Sequence, residues 1–222
     1  MPDERVQRLR RLDACAVSDA LDSLGLSGVA SGLPCASGSG RIAGRVITLK
    51  IGAGERPAGP TRHLGTAAVD ASGPDDVIVV EQHSGIDAGC WGGLLSLGAQ
   101  RRGVAGVIAD GPVRDIDEAR GLGFPVFAAQ FTARTARGRV IELGTNVPVN
   151  CRGIAVQPAD YVIADDSAVV FVPAARIDAV LDAAQVIMAK EAAMAHAIRA
   201  GGAMSAVMGG DYEHMLARKP PA

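Results

Sequence analysis

The chain has 222 residues, 48% of them hydrophobic but only 3% aromatic, with a formal net charge of −2. That is enough to bury one substantial core packed by Ala, Val, Ile and Leu, in the small-residue manner that suits βα layers and close subunit contacts. No long basic run is present, which argues against a nucleic-acid partner. No apolar stretch is long and charge-free enough to span a bilayer. The opening MPDERVQRLRRLD is charged and has no secretory apolar core, so the sequence reads as a soluble cytoplasmic protein, with no membrane partner. Cys15, Cys35, Cys90 and Cys151 lie far apart without C-x-x-C spacing and read as reduced, mostly buried thiols.

Residues 4–24 predict one or two short helices, with Ser18, Asp19 and Asp22 as polar points among Ala20, Leu21 and Leu24. Residues 26–40 read as loop; their glycines lack the strand and helix that a dinucleotide-binding G-x-G-x-x-G requires. Residues 41–52 predict a strand, 52–60 a Gly/Pro loop, and 62–69 a helix carrying His63. The run Val77 to Val80, flanked by Asp75, Asp76 and Glu81, predicts a buried strand leading through His83 to Trp91. Beyond residue 118, strands are expected near 121–128, 140–143, 147–149 and 154–156, with a hairpin formed by 161–164 and 169–172. A final helix runs from about Ala174 towards Gly201. Its apolar stripe is Ile177, Val180, Leu181, Ala184, Met188, Met194 and Ile198. Glu191 falls near the middle of that stripe, whereas Lys190 points away. A lone carboxylate is expensive to bury, so Glu191 should meet a cation, a metal's water or a partner subunit.

The chemistry concentrates between Trp91 and Glu118. Gly92 and Gly93 open an amphipathic helix with Leu94, Leu95 and Gly98 on one face. A buried strand follows at 104–109, and a turn at Asp110-Gly111-Pro112 delivers Arg114, Asp115 and Glu118. Ligands of open α/β sheets gather at the carboxyl ends of strands. One reading makes Asp115 an N-cap with Glu118 as its capping-box partner. The other makes Asp115 a ligand for a hard cation, which takes one or two carboxylates and several waters, and makes Arg114 a fork for a carboxylate. Backbone N–H groups at the helix start can approach an anion where Gly92 and Gly93 leave room. His83, on a loop feeding the same region, is a further candidate for ligand contact.

Gly93, twenty intervening residues, then Arg114-Asp115-x-x-Glu118 resembles the G-x20-R-D-x2-E/D pattern of the class II 4-hydroxy-4-methyl-2-oxoglutarate / 4-carboxy-4-hydroxy-2-oxoadipate aldolases. Their non-catalytic relatives, the ribonuclease-E activity regulators, share much of it. The resemblance extends over roughly residues 5–200, through Val17-Ser18-Asp19-Ala20-Leu21-Asp22-x-x-Gly25, residues 41–48, and 148–173. Ala159 and Ser167 stand in turns where the family usually has glycine.

The resemblance implies a single domain over 1–222, with a core at about 5–200 and a tail at about 201–222. Its fold class is α/β, a layered α/β/β/α sandwich of the swivelling phosphohistidine-domain-like type. It also implies a homotrimer or homohexamer with Glu191 reaching the adjacent subunit's site. The implied activity is a Mg²⁺- or Mn²⁺-dependent lyase acting on a small 2-oxo acid, by retro-aldol cleavage or oxaloacetate decarboxylation. In it Asp115 holds the metal, Arg114 and the Gly92, Gly93, Leu94 and Leu95 backbone bind substrate, and Arg114, Asp115 and Glu191 are catalytic. The alternative is a ring-shaped regulator without turnover. Many aldolases carry an acidic residue where Gly93 stands, leaving Asp110 or Glu118 as replacement carboxylates.

Overall fold

The computed structural model describes residues 3–38, 40–55 and 62–209. The expected loop at 52–60 and the tail from 201 therefore lie partly outside the described residues. Helices α1 (Glu4–Leu9) and α2 (Ala14–Ser23) each begin at an aspartate. Asp3 accepts from the Arg5 N–H at 2.9 Å and Asp13 from the Ala16 N–H at 2.8 Å, satisfying donors that a helix start leaves unpaired. The chain then forms β1 (Val29–Ala30), β2 (Cys35–Ser37), β3 (Ile42–Gly52), α3 (Thr66–Ala71), β4 (Asp76–Gln82), α4 (Gly93–Arg101), β5 (Gly106–Val113), α5 (Ile116–Leu122) and β6 (Val126–Phe131). After these come β7 (Ile141–Thr145), β8 (Val149–Cys151), β9 (Ile154–Val156), β10 (Tyr161–Ala164) and β11 (Val169–Val172). A 3-10 turn at Ala174–Arg176 leads into α6 (Ile177–Arg199) and the short α7 (Met204–Val207).

The main sheet has the order β1-β11-β10-β3-β4-β5-β6-β2, with β7 also paired to β3, and β8–β9 form a separate hairpin. Strands β3 to β6 are parallel and joined through α3, α4 and α5. Alternation along the strands sets the layers. Val77, Val79, Ile108 and Phe127 of the parallel half share one core with Val162, Ala164, Val169 and Phe171 of β10 and β11, so the two halves of the sheet face each other. The alternate residues Ile78, Val80, Val107 and Ala109 pack outward against Ala68, Leu95, Ala99 and Ala119 of α3, α4 and α5. On the far side, Tyr161, Ile163, Val170 and Val172 pack against Val17, Leu21, Val180 and Leu181 of α2 and α6. Helix, sheet, sheet, helix is the α/β/β/α order implied by the resemblance.

Several expectations need correction. Residues 26–40 are not all loop, because β1 and β2 find free edges beside β11 and β6. The helix expected from 62 starts only at Thr66, since Gly65 takes a left-handed φ of 80°. Asp110-Gly111-Pro112 is no turn; β5 runs through it to Val113. Leu94 and Leu95 do not share a face: Leu94 is 84% exposed and Leu95 only 8%. Cys90 and Cys151 are buried, but Cys15 is exposed. No helix of the described residues is long and apolar enough to cross a membrane.

Candidate active site

The motif is assembled by one unit, α4 followed by β5. Trp91 is buried, and its indole N–H donates to Ser96 Oγ at 2.9 Å, while that hydroxyl donates to the Gly92 carbonyl at 3.1 Å. This pins the chain where α4 begins. After α4 turns back, β5 returns alongside the same segment: the Cys90 N–H donates to Pro112 O at 2.8 Å and the Arg114 N–H to Trp91 O at 3.0 Å. The twenty residues between Gly93 and Arg114 are thus the length of one helix, one turn and one strand, which brings Arg114 and Asp115 back beside Gly92 and Gly93.

Two glycines make room for Arg114. A Cβ at Gly89 would lie 3.0 Å from Arg114 Cγ and one at Gly92 3.2 Å from the same atom, so the methylene stem runs over bare backbone. Arg114 Nε donates to both oxygens of Asp115, each at 3.1 Å, leaving the outer edge of the guanidinium for a ligand. Asp115 has a left-handed φ of 56° and precedes α5, but its side chain makes no cap. Its Oδ2 instead accepts from the Gly93 N–H at 3.2 Å. Glu118 makes no capping box either; its own N–H donates to Asp115 O at 3.1 Å. Of the two readings of this pair, side-chain capping is therefore set aside. The Leu94 and Leu95 N–H groups remain in the first turn of α4 without acceptors inside the helix.

Glu118 turns towards the start of α4. Its Oε2 lies 1.8 Å from where a Gly93 Cβ would stand, so it occupies the space a side chain at 93 would need. Asp110 is not available for that part. It is 7% exposed within β5 and accepts from the Arg152 N–H at 2.7 Å, with His83 Nε2 also at 2.7 Å. These contacts tie it to the β8–β9 hairpin.

A cavity of about 220 Å³ collects the motif: Gly89 to Leu95, Arg114 and Asp115 line it, together with His63, Leu64, Thr135, Ala136 and Arg137. His63, not His83, lines the cavity. Thr135 and Arg137 were not singled out by sequence, because their loop, RTARGR, carries no motif. Cys90 lines the cavity, but burial pushes its thiol up to about 12, which leaves it protonated and a poor nucleophile. Lys50 is paired with Glu81 at 3.2 Å and does not line the cavity.

Glu191 sits on α6, on the opposite outer layer, and does not line this cavity. Its carboxyl is pushed above the ordinary range by burial and by Asp13 and Asp19. Asp19 in turn is raised by burial and by Asp22 and Asp13. One chain therefore cannot bring Glu191 to Arg114.

The donor set fits a hard cation. Asp115 offers a carboxylate at Gly92 and Gly93 and Glu118 one at Gly93, the one or two carboxylates Mg²⁺ or Mn²⁺ takes when waters complete its shell. Among the described residues no three His, Cys, Asp or Glu side chains are grouped so as to hold a metal ion by themselves, so such an ion would depend on water and substrate for its remaining ligands.

The chain is similar to the protein DlpA of Legionella pneumophila, 28% identical over 199 residues that cover 90% of this chain but only 32% of DlpA. It is also 28% identical over 193 residues to a Halalkalibacterium halodurans protein whose name assigns it provisionally to the 4-hydroxy-4-methyl-2-oxoglutarate aldolases, covering 87% of this chain and 88% of that one. Among solved structures it is similar to Streptomyces coelicolor RraAS2, described as an unusual member of the RNase ES inhibitor RraA protein family. There the TM-score is 0.73 and the identity 28%, over 86% of this chain and 95% of that one. The RraA-like family model, Aldolase/RraA, matches residues 14–171, and the chain belongs to that family.

Proposed function

We propose that this protein is a divalent-metal-dependent C–C lyase acting on a small 2-oxo acid. The observation that carries the reading is the convergence in one cavity of a free guanidinium edge, an aspartate held in a left-handed turn, and two helix-start N–H groups. Arg114 and the Leu94 and Leu95 N–H groups bind and orient the carboxylate. Asp115, with Glu118 beside it and water, would hold Mg²⁺ or Mn²⁺, which supplies Lewis-acid stabilisation of charge on the keto oxygen. In retro-aldol cleavage of 4-hydroxy-4-methyl-2-oxoglutarate, the C4 hydroxyl gives up its proton and the C3–C4 bond breaks. The electron pair passes to the C2 keto oxygen, and reprotonation at C3 completes pyruvate. Loss of CO₂ from oxaloacetate follows the same electron flow. Glu118 is the carboxylate placed to take the part of the acidic residue found at position 93 in many relatives.

Glu191 would serve as base or water-holder only across a subunit boundary, so the reading includes a homotrimer or homohexamer. The charge cluster of Asp13, Asp19 and Glu191 supports this, because uncompensated carboxylates are better accommodated beside a partner's cation. A monomer by light scattering would remove Glu191 from the mechanism.

The test is pyruvate release from 4-hydroxy-4-methyl-2-oxoglutarate and from oxaloacetate, with Mg²⁺ and with chelator. Turnover that chelation stops and Asp115→Ala abolishes is the expected result. Metal-independent turnover, or full activity in Asp115→Ala, would overturn the assignment. No turnover on either substrate would favour the regulatory scaffold.

A further inference from the structure

We propose that Arg137, with His63 beside the same cavity, forms a second anion-recognition arm that selects 2-oxo acids bearing a carboxylate at their far end. This deepens the reading above and rests on it. The lining residues fall into two groups. The motif supplies Gly92 to Leu95, Arg114 and Asp115; two unrelated loops, before α3 and after β6, supply His63 and Thr135 to Arg137. A monocarboxylate such as pyruvate is fully engaged by the first group and gives the second nothing to do.

The second group is built to hold its place. Ala136 packs against the outer core and Val140 is 5% exposed within it. The Arg139 and Val140 N–H groups both donate to Ala136 O, at 2.9 and 3.1 Å, and the Gly89 N–H donates to Arg134 O at 2.9 Å. The loop is thereby fastened to the cavity floor. Thr135 and Arg137 flank the anchored Ala136, and the Arg137 N–H donates to Thr135 Oγ1 at 3.3 Å.

The guanidiniums on either side of Arg137 have partners, and its own does not. Arg134 pairs with Asp87 at 3.1 Å, and Arg139 Nη1 donates to Thr135 O at 3.1 Å. Among the described residues the Arg137 guanidinium has no acceptor. His63 Nδ1 donates to Leu64 O at 2.9 Å, which holds the imidazole at the cavity wall. A guanidinium fork matches a carboxylate in two places at once, so the terminal carboxylate of a dicarboxylic 2-oxo acid is the fitting guest.

The full chain would be titrated in Mg²⁺ with pyruvate and with 2-oxoglutarate, followed by calorimetry or by the fluorescence of its single tryptophan, Trp91, in the cavity wall. The wild type should bind 2-oxoglutarate about tenfold more tightly than pyruvate. Arg137→Ala should erase that preference while leaving the pyruvate Kd within about twofold, and Arg137→Lys should restore part of it. An undiminished preference in Arg137→Ala, or equal weakening of both ligands, would overturn the proposal. Pyruvate binding without any preference in the wild type would refute the arm alone. Failure of both ligands to bind would refute the 2-oxo acid reading itself and the arm with it.

Discussion

Gly93→Ala probes how the two carboxylates share the helix start. The added Cβ would fall 1.8 Å from Glu118 Oε2 and 2.7 Å from its Cδ, so the glutamate must swing away. The fold gives way cheaply, because Glu118 is exposed and its far end is flexible. A forced rotamer costs about 0.5–1.5 kcal/mol, and replacing glycine in a helix returns up to about 1 kcal/mol. Stability in urea should therefore move by less than about 1 kcal/mol. Activity should fall much further: losing a positioned proton-transfer group costs about a hundredfold at the low end, or ~2.7 kcal/mol of transition-state stabilisation. The assay is pyruvate release coupled to NADH oxidation by lactate dehydrogenase, on Gly93→Ala, Glu118→Ala and the double variant. If the alanine acts by displacing Glu118, the double variant is no slower than Glu118→Ala alone. Losses that multiply in the double variant would refute the reasoning, since the alanine would then be acting through some other contact.

Asp115→Asn and Asp115→Ala should both lose metal-dependent turnover, but they should differ in stability. Asparagine tolerates the left-handed φ of 56° at this position, whereas alanine should cost about 1 kcal/mol more in urea denaturation. Glu191→Gln should abolish turnover in the assembled protein yet stabilise the dissociated chain at neutral pH. Its folded carboxyl is raised above the unfolded value, so the folded chain binds more protons in that window and loses stability as pH rises through it. The gain should vanish once the pH falls below the unfolded value, and a gain that persists in acid would point to packing instead. Alkylation should label exposed Cys15 quickly in the native protein. Cys90 and Cys151, both pushed up to about 12 by burial, should react only on unfolding.

Much of the fold was legible because strands buried on both faces leave unbroken apolar runs: the parallel β4 and the antiparallel β10 and β11 all announced themselves this way. The motif was legible because its members are close along the chain or separated by one complete helix and strand. Sequence erred where a residue's face mattered more than its neighbours. Asp110 and Asp115 are five residues apart, yet one is inside a strand facing the β8–β9 hairpin and the other beyond its end. His83 followed Asp110 to that hairpin, whereas His63, read as an ordinary helix residue, lies in the loop that lines the cavity. Thr135 and Arg137 left no trace because a loop's position depends on where its anchors pack, here Ala136 and Val140. Leu94 was misplaced for a related reason: at the second position of α4 it is left largely in solvent, and only Leu95 is buried.

The fixed distance between Gly93 and Arg114 is a matter of strand parity as well as length. Along β5, Val107 and Ala109 face the helices while Ile108 and Asp110 face the inner layer. A one-residue slip in this strand would exchange the two sets, turning Asp110 into the apolar layer under α4 and withdrawing its carboxylate from Arg152 and His83. It would also carry Arg114 off the Trp91 carbonyl and its stem off Gly89 and Gly92. The charged network on the hairpin side thus holds the register that the cavity side depends on. Asp110, although it touches no substrate in the proposed mechanism, helps to determine where Arg114 and Asp115 emerge.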